Sequence, residues 1–192
     1  SAGSSTRVDV NALDRVAYAR LVRKGAGEQP VSHGLSVGPW LRTTLTNADG
    51  PCIGGYAGYA AELEHFGLRA RAGACTSRFD NARVAAITNE FAAELRFAHT
   101  WDLAPLALDI GLGAGAALFM QRFETRGLAP ARNSLNPYAL IGAGASWTIG
   151  AGYALGLDVA AETHLLRFEQ GSSSSGLGES ALRFSAMAGK AF

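Results

Sequence analysis

Lysine is almost missing. Lys24 and Lys190 are the only two among 192 residues, so arginine carries nearly all the positive charge. Charged residues of both signs make up 17% of the chain, below the roughly 25% of ordinary soluble domains. The net charge of +1 and the lack of a basic run interleaved with aromatics exclude a nucleic-acid footprint. Cysteine is scarce as well: Cys52 and Cys75 alone, with four scattered histidines, give no metal-ligand spacing. A reduced buried pair is the plain reading of two such cysteines. The chain opens on SAGSS with neither a charged n-region nor an apolar h-region, so any secretion signal is expected to have been removed.

Glycine is plentiful, with 24 residues, and its placement is informative in LALDIGLGAGAALFMQ, Leu106–Gln121. The glycines at 111, 113 and 115 resemble the loop that cradles a nucleotide in a methyltransferase. That chemistry needs repeated strand–helix units and an acid closing a second strand about twenty residues on, and neither is present. A membrane helix over Leu103–Met120 fails too, because three glycines at alternate positions define no helix face and each costs about 1 kcal/mol against alanine. Over Tyr138–Leu157, Gly150-Ala-Gly152 divides the run in two. Alternation fits. Leu106, Leu108, Ile110, Leu112, Ala114, Ala116, Leu118 and Met120 are apolar, while the intervening Asp109, glycines and Gln121 are small or polar.

Residues 1–32 stand apart as a separate segment. Val8, Ala12, Leu13, Val16, Ala17, Leu21 and Val22 approximate helical spacing, with Arg7, Arg15, Arg20, Arg23 and Lys24 nearby. A short helix or irregular segment is expected there, outside the main fold. From His33 to Phe192 the period is two, and eight strands follow with no convincing helix. They are expected near 35–46, 53–65, 66–75, 85–99, 106–121, 137–149, 153–165 and 182–192. Leu45 falls on the apolar face of the first, Leu140 breaks the pattern of the sixth, and QGSSSSGLGES reads as a flexible loop. Long polar connections follow the odd-numbered strands and short ones the second and sixth. Such alternation around strands of about ten residues predicts an all-β, eight-stranded antiparallel up-and-down transmembrane barrel.

The polar face is unsuited to water, being rich in Gly and Ala with Arg, Glu and Asp set singly. Inside a narrow barrel, small residues leave room for long ones. The expected lumen holds Arg42, Arg69, Arg71, Arg96 and Arg183 with Glu62, Glu64, Glu90, Glu94, Asp109, Asp158, Glu162 and His164. Buried charges need partners, so an ion-pair network is expected, with Arg96 as a partner of Asp109. Aromatics divide into two expected belts: Phe66, Phe97, Trp101, Trp147, Tyr153 and Phe192 near the short turns, and Tyr59, Phe79, Phe123, Tyr138, Phe168 and Phe184 near the long loops.

Residues 33–192 thus resemble the small bacterial outer-membrane barrels of the OmpA and OmpX kind. The resemblance rests on strand number, loop asymmetry and the terminal strand ALRFSAMAGKAF, whose Phe192 matches that class's assembly signal; Lys190 departs from it, where an apolar residue is usual. It implies periplasmic termini, surface-facing loops, contact with outer-membrane lipid and lipopolysaccharide, insertion by BAM-type machinery, and no cofactor. With that topology Cys52 and Cys75 lie at the surface end of one hairpin in an oxidising compartment, and a disulfide between them is expected. Thr125–Leu135, Gln170–Glu179 and residues 1–32 are candidate contact regions for an envelope protein partner. Two other functions are carried forward: an enzyme acting on lipid or peptide, for which His164 beside Glu162 and Asp158 and His99 near a short turn are the candidate groups, neither with a recognisable serine partner, and a small low-conductance pore.

Overall fold

A computed structural model describes residues 31–45, 50–80, 85–124, 130–150, 152–170 and 173–192, all but 166–170 and 173–177 in side-chain detail. The expected helix near the N-terminus lies outside these residues. The strands are β1 (Ser32–Arg42), β2 (Cys52–Glu62), β3 (Phe66–Asp80), β4 (Ala85–Leu103), β5 (Leu106–Phe123), β6 (Arg132–Gly150), β7 (Tyr153–Gln170) and β8 (Ser173–Ala191). Each pairs antiparallel with the next, and β8 returns to β1 to close the barrel. Closure leaves no sheet edge.

The two faces are inverted relative to a soluble barrel. Outward residues are apolar and exposed, as at Val37 (59%), Leu112 (65%) and Leu157 (69%), while Arg96 and His164 are buried inside at 1% and 0%. Alternation along a pleated strand puts every second residue on one face. The chain uses this to present hydrocarbon outward and charge inward.

The apolar band has definable edges. On β3 and β4 the outward face changes from Ala74 and Phe91 to Thr76 and Asn89, joined by a 2.9 Å hydrogen bond. On β7 and β8 it changes from Ala161 and Leu182 to Thr163 and Ser180, 3.3 Å apart. Beyond these edges the strands continue with exposed Arg78, Asp80 and Arg122. At the opposite end, Phe66 stacks on Phe97 with ring centroids 5.5 Å apart, and His99 meets Phe66 at 5.0 Å and Trp101 at 4.4 Å. His33 lies between Tyr59 and Phe192.

Several expectations are corrected. Of the stretch read as a flexible loop, the described residues are strand: β7 reaches Gln170, which pairs with Ser173 at the start of β8. Likewise Ser77–Asp80 extend β3, and Thr100–Leu103 extend β4. Past the long-loop edge of the apolar band the outward residues turn polar, as at Arg78 and Asp80, while inward Ser77 stays buried, so backbone pairing persists without an apolar–polar alternation to reveal it. Leu45, expected outward, is 8% exposed, because β1 has ended at Arg42 and the alternation with it. Tyr59 lies near the short-turn end of β2, not at the long-loop end. Tyr138 is no belt residue but points inward at 4% exposure. The side chain of Phe168 lies outside the described residues. Leu140, the misfit of the sixth strand, is inward and buried beside Trp40, Tyr56 and Tyr138.

In the β6–β7 turn Gly150 and Gly152 have φ of 116° and 81°, a region that penalises any side chain.

Replacing Leu112 by arginine sets a charge on the apolar band, where such changes cost about 2–4 kcal/mol at mid-depth. Denaturant unfolding from lipid vesicles should show that loss for Leu112→Arg and nearly none for Leu112→Ile; equal stability of the two variants would contradict the orientation of β5.

Candidate functional site

The inward faces of all eight strands converge on a polar lumen. Its centre is Arg96 on β4. Nη2 donates to Asp109 Oδ1 at 2.8 Å and to the Gly142 carbonyl at 2.7 Å, and Nη1 donates to Asp158 Oδ2. One guanidinium therefore ties β4 to β5, β6 and β7. The glycines around it provide clearance. A Cβ at Gly142 would stand 3.1 Å from Arg96 Nη1, and one at Gly144 would stand 2.6 Å from Asp109 Oδ2.

Asp109 Oδ2 also accepts Arg69 Nη1 at 2.8 Å, and Arg69 Nη2 reaches Glu62 Oε1 at 2.9 Å. Towards the other end, Asp158 Oδ1 accepts Arg71 Nη1 at 2.8 Å and Ser185 Oγ at 3.3 Å. Arg183 Nη1 lies 2.6 Å from Glu94 Oε2 and 2.8 Å from Glu162 Oε1. Arg71 Nη1 stands 3.9 Å from Glu94 Oε1, which joins the two groups. Above them, Glu162 Oε2 is 3.2 Å from His164 Nε2, and Arg42 Nη1 is 3.4 Å from the same nitrogen. That nitrogen has one position to offer, a proton for Glu162 or a lone pair for Arg42. Arg42 Nη2 pairs with Glu90 Oε2 at 2.6 Å.

Among the charges expected in the lumen, Glu64 is the correction. It lies exposed beyond the end of β2, with Oε1 3.7 Å from His65 Nε2. The two-residue period stops where the strand does, so its parity carried no information. The other residues of the set meet in the contacts above.

Aromatic rings complete the filling in a role that sequence reading missed. Arg42 sits over Phe119, Arg71 over Tyr56 and Arg183 over Trp40, at 5.5, 5.0 and 5.1 Å from the ring centroids. The Tyr138 hydroxyl donates to Glu94 Oε2 at 3.1 Å, and its ring stacks on His164 at 4.8 Å. The available signal was parity, since each of these rings shares a strand face with charged or glycine residues. Stacking on a desolvated guanidinium adds about 2 kcal/mol in favourable cases.

Cys52 and Cys75 form a disulfide on the inward face, with Cα atoms 5.5 Å apart and side chains buried. Glu90 Oε2 lies 3.7 Å from Cys75 Sγ. These three are the one group of metal-ligand type among the described residues, and the sulfur–sulfur bond leaves no thiolate to coordinate an ion. For catalysis, His164 would need a nucleophile within reach. Its hydrogen-bond neighbours are Glu162 and Arg42, while Ser185 is bonded to Asp158. The lumen thus holds its charges in contact with charges of opposite sign.

Removing the centre strands buried carboxylates, so Arg96→Ala should destabilise the barrel by about 3–5 kcal/mol. Arg78→Ala breaks only the exposed 3.5 Å pair with Glu124 and should stay within about 1 kcal/mol. Unfolding midpoints of the two variants from the same vesicles make the comparison. For the disulfide, thiol alkylation of the folded protein should label neither cysteine until reductant and denaturant are added together; labelling of both without reductant would exclude the bond.

No protein-family model matches the chain, and no curated protein sequence matches it. Solved structures do. A major outer membrane protein from Thermus thermophilus superposes with a TM-score of 0.61 at 14% identity, over 83% of this chain and 99% of that one. Ail, the attachment invasion locus protein of Yersinia pestis, superposes with a TM-score of 0.55 at 13% identity, over 84% and 99%. Identity at this level speaks for architecture alone. The inverted faces, the closed antiparallel order and these superpositions give one conclusion: the chain has the fold of the small eight-stranded outer-membrane β-barrels.

Proposed function

We propose that this protein is a structural or interaction protein of the bacterial outer membrane. The barrel anchors it in lipid, and the ion-pair network keeps the lumen closed. Partners are met at the long-loop end or through the N-terminal segment, and both chain termini face the periplasm. The reading is carried by one observation: Arg96, with Asp109 and Asp158, occupies the middle of the lumen at 1%, 7% and 8% exposure. An eight-stranded barrel has an interior just wide enough for side chains, and here long ones fill it.

The neighbourhood proposed for an envelope partner includes Thr125–Leu135, Gln170–Glu179 and residues 1–32. Outer-membrane lipid and lipopolysaccharide are the surroundings proposed for the apolar band, and BAM-type machinery the route of insertion, with Phe192 as its signal. The enzyme reading has less support, because His164 is fully buried and its hydrogen bonds go to Glu162 and Arg42.

Reconstituted in planar bilayers, the protein should give no steady large-conductance openings; their appearance would overturn the closed lumen. Affinity purification from intact envelopes should recover a stoichiometric partner. His164→Ala should leave that recovery unchanged in the fraction that still migrates as a folded, heat-modifiable band. Loss of a lipid- or peptide-modifying activity in that variant would favour the enzyme instead.

A further inference from the structure

The ladder that closes the barrel is broken in its middle. β1 and β8 pair from Gly34 with Ala191 to Val37 with Ala188, and again from Trp40 with Ser185 to Arg42 with Arg183, but not at Gly38 and Pro39. Among the described residues no other ladder is interrupted within its length; the β6–β7 ladder shifts only at its turn. The register is unchanged across the gap, so no bulge explains it.

Proline does. His33 and Phe192 exchange backbone hydrogen bonds across this seam, and the Thr43 N–H donates to the Leu182 carbonyl while the Leu182 N–H donates to Thr43 Oγ1. In an antiparallel ladder every second pair is hydrogen-bonded, which puts Pro39 opposite Ala186 in a bonding position. Proline has no N–H to give, and the Ala186 carbonyl loses its ladder donor. Proline within a sheet is ordinarily confined to edges for this reason; a closed barrel has no edge, and its seam takes that place.

The lumen supplies a substitute. Gly38 is paired with Tyr56 across β1 and β2, and a Cβ at Gly38 would overlap the Ala186 carbonyl. With no side chain at Gly38, the Tyr56 ring passes beneath it and its hydroxyl donates to the Ala186 oxygen at 3.4 Å. That is a long bond beside the backbone bond it replaces. The same ring stacks on Trp40 at 6.2 Å and lies under Arg71 at 5.0 Å, which fixes its position. A hollow of about 690 Å³ lies at the break, lined by Pro39, Leu41, Leu157, Phe184 and Ala186 among others.

We propose that the β1–β8 seam opens locally at Pro39, and that Tyr56 is the latch holding this one weak point shut from within. The seam is then the line along which the wall breathes while the remaining ladders stay closed. Tyr56 is a positioning residue here, acting through its hydroxyl on the Ala186 carbonyl.

Residue-resolved hydrogen–deuterium exchange of the full chain folded in detergent micelles tests this. Amides of Val37, Ala186 and Ala188 should exchange faster than those of Arg71, Gly73 and Glu94 in β3 and β4. Pro39→Ala restores the missing donor and should slow the seam amides. Tyr56→Phe should speed them by about two- to tenfold, the worth of one hydrogen bond, and should do so much less in the Pro39→Ala background. Heat-modifiable migration verifies that each variant is folded before exchange. Seam amides as slow as those of β3 and β4 would overturn the proposal. An equal effect of Tyr56→Phe with and without Pro39 would overturn the latch.

Discussion

A guanidinium in the middle of a narrow barrel must be met on every side, and the architecture follows from meeting it. Arg96 reaches carboxylates on β5 and β7 and a carbonyl on β6. Those contacts fix the heights of four strands relative to one another. Each carboxylate in turn holds a second arginine, Arg69 or Arg71. A shift of one residue in any of these strands would turn charge towards lipid and leucine towards the lumen. Register, barrel closure and a filled interior are therefore consequences of the same pairing.

The aromatic rings set the lateral fit. Trp40, Tyr56, Phe119 and Tyr138 fill space that the charged chains leave, and three of them lie against guanidinium faces. Their bulk is accommodated by glycine elsewhere on the inward face: a Cβ at Gly73 would meet Trp40 at 2.8 Å, and one at Gly115 would meet the Tyr138 hydroxyl at 2.6 Å. Large and absent side chains are complementary parts of one packing arrangement, so the polar interior stays dense without a hydrophobic core of the usual kind.

Much of this was legible in the chain before its coordinates. The period of two over Leu106–Gln121 placed Asp109 inward and Leu108, Ile110 and Leu112 outward, because pleating leaves a strand no other choice. Arg96 as a partner of Asp109 was readable for the same reason, the two lying on adjacent strands. The link from Arg96 to Asp158 was not, since contacts across a lumen depend on strand tilt and stagger that no local pattern encodes. Strand ends were also hidden. The Ser-Gly stretch within 171–178 carries no alternation, and the strand from Ser173 onward follows from backbone pairing continuing past the apolar band. Glu64 and Leu45 were misplaced because parity was extended beyond the strands that gave it meaning.

The outward band bears on how far such a sequence can drift. Lipid asks of Leu35, Ile53, Leu112 or Val159 only that they be apolar, and any of several residues meets that demand. Inside, constraint falls on a network in which each charge meets several others, as Arg96 meets Asp109 and Asp158 and these meet Arg69 and Arg71. A wall whose outward side is held only to being apolar retains its shape while its letters turn over. Architecture shared at 13–14% identity is the outcome such a wall permits.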